Sequence, residues 1–108
     1  MEIVRKHLLT AETGERQLTS VQAHEITFGP GQKGGLHYHP CPVTGYIIKG
    51  TATMQVKDGP QYILPAGAAF YEPAMEHILY FNNHSDTEPM TFVAFYLLNG
   101  EQHLIEML

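Results

Sequence analysis

Two histidines one residue apart, His37 and His39, stand between a glycine-rich approach and a Val/Ile/Tyr-rich run in the stretch GQKGGLHYHPCPVTGYIIKG, residues 31–50. On an extended strand successive side chains point to opposite faces, so the two imidazoles look the same way and Tyr38 looks the other. Two imidazoles on one face can share a metal ion. The same spacing also occurs on solvated faces that hold no ion, so the pair alone leaves both readings open and the rest of the chain has to decide.

The elements that must position the pair read as strands. Thr19 to Phe28 alternates, with Gln22, His24, Ile26 and Phe28 as the face expected to be buried. Gly29-Pro30-Gly31 stops it, and Gly34-Gly35 gives the chain freedom to bend ahead of His37. Val43 to Lys49 is β-branched and aromatic, and Thr51 to Lys57 alternates up to Asp58-Gly59, a hairpin signal. Pro60 to Leu64, Ala68 to Tyr71, His77 to Asn82 and the apolar run Met90 to Leu98 follow as further strands. Ile3 to Leu9 is expected as a first short strand at an edge. Turn signals recur roughly every 8 to 12 residues with no convincing helical period beyond a single turn near the C-terminus, the pattern of an all-β sandwich or barrel. The segment Glu101 to Leu108 carries Leu104, Ile105, Met107 and Leu108. A tail that apolar is expected to pack on its own barrel or on a second copy.

Composition excludes several functions. The chain has 108 residues, 44% apolar and 16% charged, which fits one folded domain over 1–108. A net charge of -5 with only six Lys and Arg argues against a nucleic-acid surface. No run approaches the ~18 apolar residues of a membrane span, and the N-terminus lacks the apolar core of a signal peptide. A cytoplasmic location is the default expectation. Cys41, the single cysteine, cannot form an internal disulfide, in keeping with a reducing compartment.

The motifs resemble those of the cupin superfamily, in the form of its small single-domain bacterial members. The first cupin motif runs Gly, five residues, His-x-His, three or four residues, Glu, six residues, Gly; Gly31, His37, His39 and Gly50 fall at those spacings. Pro40 and the wording GYIIKG also match. In the second motif Gly59, Pro65 and Gly67 match, and FYEPAMEH followed by Asn82 looks like the variant in which the histidine comes later. Two departures stand out. The motif's glutamate falls at Val43 or Thr44, neither a carboxylate, and the loop between Pro73 and His77 is one residue short and lacks its glycine.

The resemblance implies a double-stranded β-helix, or jelly-roll barrel, with His37, His39 and His77 as metal ligands. Imidazole suits Zn, Fe, Ni and Cu; Mn is less favoured once the oxygen ligand is lost. Glu72, before Pro73, reads either as a solvated strand end or as a ligand or general base, and so is the candidate catalytic residue. Glu76 is expected to face away from His77. Cys41 reads as a buried or loop thiol, Tyr46 and Tyr62 as packing residues, and His7, His84 and His103 as surface residues; His24 is a candidate for support behind the site. The implied function is a metal-dependent enzyme of dioxygenase, isomerase or lyase type acting on a small organic molecule in the barrel. The alternatives are a non-catalytic module that binds or senses a small ligand, and a structural barrel with vestigial histidines. A homodimer is the expected assembly, with no nucleic-acid or membrane partner.

Overall fold

The structure, a computed structural model, describes residues 2–100 and 103–108. Glu101 and Gln102, the first residues of the apolar tail, lie outside the described residues. Nine strands follow one another: β1 (Ser20–Phe28), β2 (His37–Tyr38), β3 (Val43–Lys49), β4 (Thr51–Val56), β5 (Gln61–Pro65), β6 (Ala69–Glu72), β7 (Ile78–Asn83), β8 (Met90–Leu98) and β9 (Glu106–Met107). They form two antiparallel sheets, ordered β1-β8-β3-β6 and β5-β4-β7-β2-β9. No helix occurs among the described residues, and the expected all-β barrel is what the chain builds.

Alternation along each strand decides what lies between the sheets. In β8 Met90, Phe92, Ala94, Tyr96 and Leu98 are buried, while Thr91, Val93, Phe95 and Leu97 take the other face. Ile47 of β3, Met54 of β4, Phe70 of β6 and Phe81 of β7 meet them from the facing strands. The Asp58-Gly59 turn joins β4 to β5 as its sequence implies, with Asp58 at φ 65° and Gly59 N–H donating to the Val56 carbonyl at 2.9 Å.

A one-residue irregularity in the β4–β7 ladder has consequences for the site. Gln55 is opposite Tyr80, but Val56 is opposite Ile78, so Leu79 is an extra residue on β7. Such a bulge reverses the facing of everything beyond it. Phe81 and Ile78 are therefore both buried although they differ in parity.

The first strand expected, Ile3 to Leu9, does not form. Its apolar residues sit at the two ends with Arg5 and Lys6 between them, so no alternating face exists to lay against a sheet, and Ile3 and Val4 are 90% and 89% exposed. The tail joins its own barrel through Leu104 and a backbone ladder, while Ile105, Met107 and Leu108 stay exposed. β9 pairs with β2, His37 opposite Met107 and Tyr38 opposite Glu106, in place of the helical turn expected there.

Candidate metal centre

The approach to the histidine pair is held tightly. Gly34 N–H donates to the Phe81 carbonyl at 3.0 Å, and a Cβ on Gly34 would come within 2.5 Å of that same oxygen, so only glycine allows the approach. Gly35, at φ 83°, then turns the chain so that its carbonyl accepts from His37 Nδ1 at 2.7 Å. His39 Nδ1 donates to the Leu104 carbonyl at 2.6 Å. Both rings thus spend Nδ1 on backbone, which fixes the tautomer and turns each Nε2 toward Glu72 as the candidate ligand atom.

The third member is Glu72. Its Oε2 lies 2.6 Å from His39 Nε2 and 3.7 Å from His37 Nε2, and all three residues are buried, at 3–4% exposure. Ligand atoms from the three residues lie within 4.8 Å of one another. β6 brings the carboxylate there: Glu72 is the direct cross-strand partner of Val43, and directly opposed residues share a face. Val43 is one of the two positions where the first motif puts its glutamate. The acid missing from β3 therefore arrives from the neighbouring strand.

His77 is not brought to this group. Ile78 is the residue opposite His37, and with the bulge at Leu79 it takes the inward face. His77 is exposed and its ring stacks on Tyr38 at 6.1 Å, on the side of the strand away from the histidine pair. Where the sequence reading expects a third imidazole beside the pair, the structure places a carboxylate. With an oxygen ligand present, the reason for disfavouring Mn also falls away.

Burial drives the Glu72 pKa up, but hydrogen bonding and attraction from His37 and His39 outweigh it and hold the carboxyl below its ordinary value. For His37 burial lowers the pKa, and Glu72 together with the Gly35 carbonyl more than reverses this. The donor set, two imidazole nitrogens and a carboxylate within 4.8 Å of one another, fits a divalent ion. With Nδ1–H given to Leu104, a neutral His39 presents only a lone pair to Glu72, so the two acceptors, 2.6 Å apart, share a proton, and an ion with bonds of about 2.0–2.2 Å to each would take its place.

The group opens on a cavity of about 350 Å³ lined by Phe28, Phe70, Phe81, Phe92 and Tyr96, among others. Tyr96, which belongs to neither motif, sets its ring edge-on to His39 at 5.9 Å and to His24 at 5.1 Å. Burial, Glu72 and Cys41 all push its phenol pKa up, so it stays protonated. Its even position among Met90, Phe92, Ala94 and Leu98 was the available signal. His24 touches Tyr96 and hydrogen-bonds Gln22 Oε1 at 2.9 Å, at one remove from the ligand group. Cys41 is buried, with its thiol pKa raised by burial, and is not part of the ligand group. Tyr46, Tyr62, Glu76, His7, His84 and His103 are exposed.

The comparisons agree with the fold. A sequence search of curated proteins found no match. Among solved structures, the chain is similar to Bacillus subtilis oxalate decarboxylase, from a study of its Mn(II) centers, with TM-score 0.70 and 28% identity, over 82% of this chain and 24% of that one. It is similar also to a DMSP lyase from Ruegeria pomeroyi (TM-score 0.69, 18% identity, 82% of this chain and 43% of that one). A cupin-like protein from Thermotoga maritima gives TM-score 0.67 at 19% identity, over 82% and 64%. The chain thus spans less than two thirds of each of them. The family model for the cupin domain, Cupin_2, matches residues 24–103, most of the two-sheet barrel and all of the His37–His39–Glu72 group, and the chain belongs to that family.

Proposed function

We propose that this chain is a metal-dependent cupin enzyme acting on a small organic molecule inside the barrel. The observation that carries the reading is one buried carboxylate between two tautomer-fixed imidazoles at the wall of an apolar cavity of about 350 Å³. Two histidines and one carboxylate with the remaining positions open form the ligand set of non-haem iron oxygenases, and they also suit Zn, Ni or Mn. A bound ion supplies Lewis acidity to a substrate oxygen or, if it is iron, a site for dioxygen.

The protein's own part is positioning and exclusion. The Gly35 and Leu104 carbonyls aim the imidazoles, Glu72 lowers the net charge of an occupied site, and the phenylalanine wall keeps water from the reacting end of the cavity. Dioxygenase, isomerase and lyase chemistry all remain within reach of such a site. A homodimer is proposed alongside, since the exposed Ile3 and Val4 offer apolar surface for a second copy to cover; light scattering tests it.

Elemental analysis of protein purified without a histidine tag, followed by calorimetric titration of the stripped protein, tests the metal reading. One transition-metal ion per chain, lost in His37→Ala, supports it; a wild-type chain that takes up none overturns it. Turnover of a small organic substrate that vanishes on stripping and returns on reloading separates the enzyme from a non-catalytic binding module.

A further inference from the structure

The wall of the cavity is uneven in chemistry. Phe28, Phe70, Phe81 and Phe92 form one connected aromatic surface, with neighbouring ring centroids 4.8 to 6.3 Å apart. Of the charged side chains lining the cavity, Glu72 is answered by His37 and His39, and the other is Lys33. Lys33 is exposed, and no carboxylate is paired with it among the described residues. Its backbone is anchored: it bridges to Asn82, and Gly34 beside it donates to the Phe81 carbonyl and to Asn82 Oδ1. One cation with no carboxylate partner among the described residues, its backbone anchored at the edge of a low-dielectric aromatic wall, attracts a single negative charge carried on an apolar body.

We propose that the cavity binds a monocarboxylate with an aryl or branched-alkyl body of about phenyl size. The body lies on the phenylalanine wall and the carboxylate pairs with Lys33. Oxalate suits this wall poorly, because it has no carbon beyond its carboxyl groups to set against the rings and, in the metal-free chain, its second charge meets no second unpaired cation. The assignment rests on the reading that this cavity is where the reaction takes place, but binding is measured without any metal.

The test uses the metal-free chain with three probes: phenylacetate, its uncharged analogue 2-phenylethanol, and oxalate, followed by calorimetry and by nuclear Overhauser contacts to the phenylalanine rings. Phenylacetate is expected to bind with ring-to-ring contacts, and oxalate at least about tenfold more weakly. Lys33→Met weakens phenylacetate by roughly threefold to tenfold and leaves 2-phenylethanol unchanged, while Lys33→Arg restores most of the loss. Oxalate binding as tightly as phenylacetate, no contacts to the phenylalanines, or indifference to Lys33→Met would each overturn the proposal. Phenylacetate binding in a chain that takes up no metal refutes the metal centre alone. Stoichiometric metal in a chain that ignores phenylacetate refutes the ligand class alone.

Discussion

His39 Nε2 and Glu72 Oε2 stand 2.6 Å apart inside the barrel while His39 Nδ1 is already committed to the Leu104 carbonyl. In the metal-free protein a proton holds that contact together, and an entering ion has to displace it. Zinc binding is therefore expected to release protons, and to release more of them as pH falls through the raised value of His37. Titration in buffers of different ionisation enthalpy measures the release, and a binding heat independent of buffer would contradict it.

Glu72→Gln keeps the shape of the third ligand and removes its charge. Zinc affinity is expected to drop by more than the roughly 10- to 100-fold that changes just outside a ligand shell cost. Competition against a chelator of known affinity reads the change, and a loss under about threefold would take the carboxylate out of the site.

His77→Ala separates the motif-based ligand set from the observed one. The ring is exposed and rests on Tyr38, so metal uptake should match wild type and stability should move by no more than about 0.5 kcal/mol. A variant that no longer loads metal would restore His77 to the site.

The stability of the metal-free protein should plateau in mildly acidic solution. Glu72 has a folded pKa below its ordinary 4.5, so its contribution is present above 4.5 and is lost as pH falls through the lowered value. His37 has a folded pKa above its ordinary 6.5, so its contribution is complete below 6.5 and is lost as pH rises through the raised value. Urea unfolding across this range should give a maximum between the two ordinary values, flattened in Glu72→Gln. The same profile in both proteins would show that the pair does not couple to folding.

Gly45→Ala tests the wall. A Cβ there would fall 2.1 Å from Phe70 Cζ and 2.7 Å from the Val93 carbonyl, so the ring must move into the cavity or β3 must shift. A loss of about 1–3 kcal/mol is expected in chemical denaturation, as for other overpacked cores. A wild-type midpoint would mean that Phe70 yields freely.

Much of this was legible in the residues. The rhythm of strands and turns, the Asp58-Gly59 hairpin and the shared face of His37 and His39 follow from period-two alternation and turn chemistry, which are local. Three features were not local. Glu72 reaches the site by lying across a ladder from Val43, and pairing between strands is not written in either strand alone. His77 is turned outward by one extra residue at Leu79, and a bulge leaves no mark in a hydrophobic pattern that Ile78 and Phe81 satisfy either way. Ile3 to Leu9 had the composition of a strand without a partner to complete it.

The segment closing the described chain does more than cover the barrel. Its Leu104 carbonyl steadies one imidazole, and β9 is laddered to the strand that bears the other. If the proposed ion binds, its capture and the docking of this end are two halves of one equilibrium, each tightening the other by the same factor. A loaded protein should resist carboxypeptidase longer than a stripped one, and a chain clipped ahead of Leu104 should hold its ion less firmly although both histidines and the glutamate remain.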